Sequence, residues 1–249
     1  MSKRCLYALL ALCASAAPAA AQFRVPTMPE TGTVELDRGI FTIYQRGQPL
    51  GTEHFSVQGS GDSLMFSTHT FQVFPGDTLE VDVAWVAGID FGLRNYRSKQ
   101  VRLGHTFQRA LVLCDSTFTS YRQFDLSGEG DVLALPPGRV FVLEPRVFMC
   151  FDVICRSLLG KSFDHRPISL VVLGVPDSVV EATAENLGSD SLRWGSRPMR
   201  ARKYRIADGN TSFIAWASPQ GNLVRLEEST SGLRVERTPP AVKRRPAPR

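Results

Sequence analysis

Residues 64–86 read LMFSTHTFQVFPGDTLEVDVAWV, and the fold class follows from them. Leu79, Val81, Val83 and Trp85 recur at strict period two, the spacing of a strand that buries one face. The run from 64 to 74 that precedes them ends at Pro75-Gly76-Asp77, residue types that preset a turn. Two such runs joined by a tight turn make an antiparallel hairpin.

The same rhythm continues on both sides. Upstream, Phe41 and Ile43 share a face, Arg46-Gly47-Gln48-Pro49 supplies a turn, and Phe55 and Val57 share a face of the next run. Downstream, strands are predicted at 95–103, 105–113 and 117–124, the last ending in Gly128-Glu129-Gly130-Asp131. Another is predicted at 140–143, after Pro136-Pro137-Gly138. The segment 146–159 breaks the pattern, because Val147, Phe151, Ile154 and Leu158 recur at helical spacing and Gly160 follows as a stop. Strands resume at 168–173 and 179–187, and a meander of short runs covers 203–206, 213–216 and 223–226. The expected fold is therefore mainly β: an antiparallel, curled sheet or incomplete β-barrel with one helix packed against it. A flat two-sheet sandwich is the alternative.

The chain begins with Lys3 and Arg4, an apolar run from Leu6 to Ala17, and Ala19-Ala20-Ala21, which together read as a secretory signal cleaved after Ala21. The expected organisation is a signal peptide over 1–21, an N-terminal extension over 22–38, a single β domain over 39–237 and a disordered, basic, Pro-rich tail over 238–249. The location implied is periplasmic or secreted, and no run is long enough for a membrane-spanning helix. Setting aside Lys3, Arg4, Lys243, Arg244, Arg245 and Arg249 takes the formal net charge from +5 to −1, so nucleic acid is not an expected partner. Cys114, Cys150 and Cys155 remain in an oxidising compartment, which predicts one disulfide and one free thiol. Cys150 and Cys155 diverge by about 140° on a helix, so the expected bridge joins Cys114 to the helix, with Cys155 favoured over Cys150. A C-x₄-C pair and four scattered histidines do not suggest a metal centre, and no cofactor is expected.

No catalytic residue is assigned. Gly61-Asp62-Ser63-Leu64 spells the signature of the GDSL hydrolases, but the last histidine is His165 and no Asp-x-x-His pair follows, so a hairpin turn accounts for these residues. Asp164-His165 reads as a polar loop. Glu53 and His54 are neighbours on a strand and point to opposite faces.

The fifteen phenylalanines and three tryptophans are a large aromatic supply, first of all for core packing. A curled sheet that does not close over its middle also leaves room for an apolar ligand, and Phe55, Trp85, Phe91 and Trp216 are the candidate lining. Two stretches, FTIYQRGQPLGTEHF (41–55) and WASPQGNLV (216–224), resemble the opening and closing hairpins of uncharacterised exported bacterial proteins of the DUF3108-like kind. Those families are in turn similar in fold to periplasmic lipoprotein carriers of the LolA and LolB type, with an incomplete barrel and a helical lid. That resemblance implies a non-enzymatic envelope protein whose partner is a lipid or lipoprotein. A structural or assembly factor working through sheet edges is the second reading, and an exported hydrolase the third. The carrier reading requires an open concave face; a face filled by the protein's own side chains removes it.

Overall fold

The computed structural model describes residues 32–239 except 116, 137 and 196. The expected signal peptide, most of the N-terminal extension and all but the first two residues of the tail lie outside the described residues. Fifteen strands and one helix follow in the order β1 (Val34–Gln45), β2 (Gln48–Ser60), β3 (Ser63–Phe74), β4 (Asp77–Gly88), β5 (Leu93–Arg102), β6 (His105–Cys114), β7 (Thr117–Phe124), β8 (Ser127–Ala134) and β9 (Val140–Leu143), then α1 (Met149–Leu158). The chain continues with β10 (His165–Val172), β11 (Ser178–Trp194), β12 (Arg197–Ala207), β13 (Ser212–Ala217), β14 (Leu223–Glu228) and β15 (Leu233–Arg237). The fold is mainly β and antiparallel with one helix, as the sequence pattern predicts, and the 64–86 hairpin pairs from Ser63–Gly88 to Phe74–Asp77 without a bulge.

All fifteen strands belong to one sheet, in the order β8-β7-β6-β5-β4-β3-β2-β1-β15-β14-β13-β12-β11-β10-β9. Strands that follow one another in sequence are therefore spatial neighbours, except β8 and β9, which lie at opposite ends; β1 and β15 join in the middle, and β9 pairs parallel with β10. The two end strands do not pair with one another, so the sheet is not closed into a barrel. Instead β9 turns inward against β5 while β8 lies against β11, which makes the sheet a roll with overlapping margins.

The concave face is packed by alternate residues of the strands, among them Phe41, Ile43, Phe66, Val81, Trp85, Tyr96, Leu111 and Phe118. The helix α1 lies inside this face against β9, β13 and β14. Nine of its ten residues are buried, so it is a plug rather than a lid. The turn between β13 and β14 comes so close that a Cβ on Gly221 would stand 3.2–3.3 Å from Leu159 and Arg156, and its φ of +87° is one that L side chains avoid. Among the described residues, no helix is long and apolar enough to cross a membrane.

Candidate functional site

The plug is held by carboxylates that sit on the apolar faces of their elements. A helix begins with amide donors that have no partner inside the helix, and Phe148 at the N-cap of α1 offers no side-chain acceptor. Glu53, reaching inward from β2, accepts from the Phe148 and Met149 amides at 2.6 and 2.8 Å. Burial pushes its carboxyl up to about 7, against the pull of those two donors. Farther along the helix, Asp152 accepts from the Leu223 amide at 2.6 Å and pairs with Arg156, which also pairs with Asp37 of β1. Arg237 of β15 reaches Asp37 at 2.5 Å.

A second network stitches the overlapping margins. Arg109 of β6 donates to Glu144, just past β9, at 3.3 Å and to the Gly174 carbonyl at 2.8 Å; it also pairs with Asp177, just before β11, at 3.3 Å. Glu144 accepts as well from Tyr96, from Ser98 at 3.0 Å and from Gln100 at 2.5 Å, all on β5. Ser120 of β7 donates to Asp177 at 2.5 Å. Among the described residues no strand ladder crosses the seam, and these buried side chains bridge it. Burial raises the Glu144 carboxyl from its ordinary value, with Tyr96 and Arg109 acting in the opposite sense.

The four aromatic residues expected to line a ligand cavity do not share one. Phe55 stacks on Phe41 at 4.8 Å beneath the Arg237 guanidinium. Trp85 stacks on Phe66, and together with Phe91 it borders a void of about 10 Å³ shared with Val142 and Cys150. Trp216 belongs to a separate cluster with Leu192, Ala201 and Val224, and donates to Asp190 at 3.1 Å. The reason is periodicity: Ala215 and Ala217 pack in the main core, so Trp216 between them points the other way. A larger depression of about 410 Å³ opens on the outside between the β3–β4 and β5–β6 turns, where Asp77, Glu80 and Arg102 put charge in its lining. Ser63 starts β3 beside the Gly61-Asp62 turn, where its hydroxyl donates to Asp62 and accepts from Arg94, both at 2.9 Å.

The expected Cys114–Cys155 disulfide is not formed: Cys114, Cys150 and Cys155, the cysteines among the described residues, are free thiols. Register explains why: Val112 and Cys114 lie on the outer face of β6, opposite in sense to the inward Leu111 and Arg109, so the sheet separates Cys114 from the helix. Cys150 is as buried as Cys155, because α1 is surrounded rather than laid on one surface. Burial pushes both helix thiols well up from their ordinary value. Titration of the native protein with a thiol reagent should therefore modify one cysteine, Cys114, and unfolding should expose the other two. Finding no reactive thiol, or three, in the native state would contradict this placement.

β8 is the exposed end of the roll. Its inner-face residues are Glu129, Asp131 and Leu133, aligned through β7 with Arg122, Ser120 and Phe118. Arg122, itself buried, pairs with Glu129 at 3.1 Å and with Asp131 at 2.5 Å, while the two carboxylates stay 65% and 48% exposed. On the outer face, Gly128, Gly130 and Val132 align with Gln123, Tyr121 and Thr119. The Tyr121 ring lies over Gly128, where a Cβ would meet its hydroxyl at 2.5 Å, so Gly128 makes room for an aromatic side chain at the edge. Val132 is 69% exposed and stands in one row with Thr119 and the exposed Val112.

No family model matches the chain, and no curated protein is significantly similar to it. Among solved structures, the chain is similar to a β-barrel-like protein of a domain of unknown function, DUF1849, from Brucella abortus. The identity is 10% and the TM-score 0.55, over 81% of this chain and 94% of that one. A DUF1089 family protein from Pseudomonas aeruginosa aligns with a TM-score of 0.42 at 10% identity, over 72% of this chain and 90% of that one. The first of these likenesses gives the chain a β-barrel-like fold.

Proposed function

We propose that this is an exported cell-envelope protein that works through its surface, by contact with other proteins, rather than by carrying a lipid inside its sheet. The observation that carries this reading is the filled interior. A site for a drug-sized ligand occupies about 300–1,000 Å³, whereas the void beside Trp85 and Phe91 is about 10 Å³. The space a carrier would keep for an acyl chain is taken by α1, whose Phe148, Met149, Phe151 and Ile154 are buried against the sheet. Export is supported by the signal-like run at residues 1–21. The exposed β8 edge supports action by contact, because the side of an edge strand turned away from its one neighbour offers a row of backbone donors and acceptors to another chain.

Native mass spectrometry of the protein isolated from its source cell tests the choice. The expected spectrum has the mass of the mature chain with no lipid adduct, and fluorescent fatty acids should not bind. A lipid retained at one per chain would overturn the proposal and restore the carrier.

A further inference from the structure

We propose that β8 is an acceptor edge for an extended segment of a partner protein, one with Lys or Arg at alternate positions facing the roll and apolar side chains facing out. This rests on the surface-acting reading above and names the edge and the partner's chemistry. Only β8 and β9 end the sheet; β9 is buried against β5 and α1, whereas β8, although it touches β11, keeps seven of its eight residues exposed, so among the described residues β8 is the accessible edge. A strand added there gains main-chain hydrogen bonds whatever its sequence; its side chains decide which sequence is accepted.

On the inner face the incoming residues stand beside Glu129 and Asp131. One guanidinium, Arg122, serves both, and its cross-strand neighbour Arg109 is already held by Glu144 and Asp177. Two buried guanidiniums thus face four carboxylates, and the two nearest the edge are the exposed ones. Opposite charges in directly paired positions stabilise a sheet and like charges destabilise it, so lysine or arginine fits there and aspartate or glutamate does not. On the outer face the neighbours are Gly128, Gly130 and the exposed Val132, where apolar side chains continue the Val112–Thr119–Val132 row.

The same charges argue against a second copy as the occupant. A two-fold antiparallel pairing of β8 with itself must centre on a residue if inner faces are to meet inner faces. Centred on Gly130 it sets Glu129 against Asp131, and centred on Glu129 or Asp131 it sets that acid against itself. Inward-pointing charge of this kind is a device by which edge strands avoid self-association, and it leaves the edge open to a strand of opposite sign.

Two capped eight-residue peptides, one alternating Lys with Val and the other Glu with Val, test the proposal on the full chain by fluorescence anisotropy and amide hydrogen exchange. The Lys-Val peptide should bind about tenfold or more tightly than the Glu-Val peptide, lose affinity as salt rises, and slow exchange over 127–134. Glu129→Gln with Asp131→Asn should remove that preference, with circular dichroism confirming that the sheet is retained. If this variant does not fold, the comparison of the two peptides and the salt dependence decide on the unaltered protein. Equal binding of the two peptides, binding of neither, or protection away from β8 would overturn the proposal. A stoichiometric protein partner that still binds the double variant would overturn it too while leaving the surface-acting function intact.

Discussion

Replacing Arg109 with methionine should lower the unfolding free energy by about 3–5 kcal/mol at neutral pH, the scale expected when one partner of a buried ion pair is removed. Methionine keeps much of the volume but leaves Glu144 and Asp177 without the guanidinium that bridges them, and it strips the Gly174 carbonyl of its 2.8 Å donor. All of these groups lie at the seam, where no strand ladder among the described residues takes over. The deficit also has a predictable pH dependence. Burial already holds the Glu144 carboxyl up, and Arg109 is among the groups that pull it down. Without Arg109 the folded state retains a proton that the unfolded chain releases, so stability falls as pH rises through that interval. Urea unfolding should therefore show a larger deficit near pH 8 than near pH 5. A loss below about 1 kcal/mol, the typical worth of an exposed pair, would mean that the seam is held by other means.

Truncating Glu53 to alanine should cost about 2–5 kcal/mol, because two buried amide donors at the start of α1 lose their acceptors and each orphaned group costs roughly 1–3 kcal/mol. Glu53→Gln separates charge from shape. Burial raises the Glu53 carboxyl from 4.5 to about 7 in the folded state, with the Phe148 and Met149 amides opposing. Between those values the folded protein binds a proton that the unfolded chain does not, so this group's contribution is fully present below about pH 4.5 and is lost as pH rises to about 7, at up to ~1.4 kcal/mol per pH unit. The amide of Gln does not titrate. The stability difference between Glu53→Gln and the unaltered protein should therefore shift across this interval by about 3 kcal/mol in favour of the variant. Parallel pH profiles for the two proteins would show that Glu53 keeps its ordinary protonation inside the fold.

Most strands were legible because one face of each is buried and the other wet, and period two then survives in the sequence. β4 and β7 are clear cases: the 117–124 run matches the observed strand end for end. Strand β8 was not legible, because Ser127-Gly128-Glu129-Gly130-Asp131 has turn composition and its ladder to β7 asks little of its side chains. Strand β11 runs to Trp194, beyond the apolar 179–187 stretch, since residues 186–189 are exposed and interrupt the alternation before Leu192 resumes it, while the ladder to β12 continues past a bulge. The helix expected over 146–159 is observed at Met149–Leu158.

The candidate site was less legible than the fold. Glu53 shares its strand face with Phe55 and Val57, and Arg109 shares its face with Leu111. A charged residue in the apolar half of an alternating run is a signal that sequence reading can use, though it does not reveal which partner answers the charge. Arg109 meets Glu144 and Asp177 only because the sheet rolls up, a consequence of all fifteen strands together. The cysteines mislead for a related reason: the end of an apolar run gives proximity to a core without saying on which side of the sheet the sulfur lies.

The pairing of β1 with β15 at the middle of the sheet sets the order in which the molecule can assemble. Each half, β1 to β8 and β9 to β14, is built largely from hairpins between neighbours in sequence and can form by local closure. Their junction joins residues as far apart as Asp37 and Arg237, separated by 200 positions. A nascent chain emerging N-terminus first therefore holds two sheets with raw facing edges until its last strand arrives, and five residues, Leu233–Arg237, complete the circuit. A chain released short of Leu233 would keep those edges exposed, so the time between the two halves and the final strand is the interval in which this protein is most open to aggregation or to a chaperone.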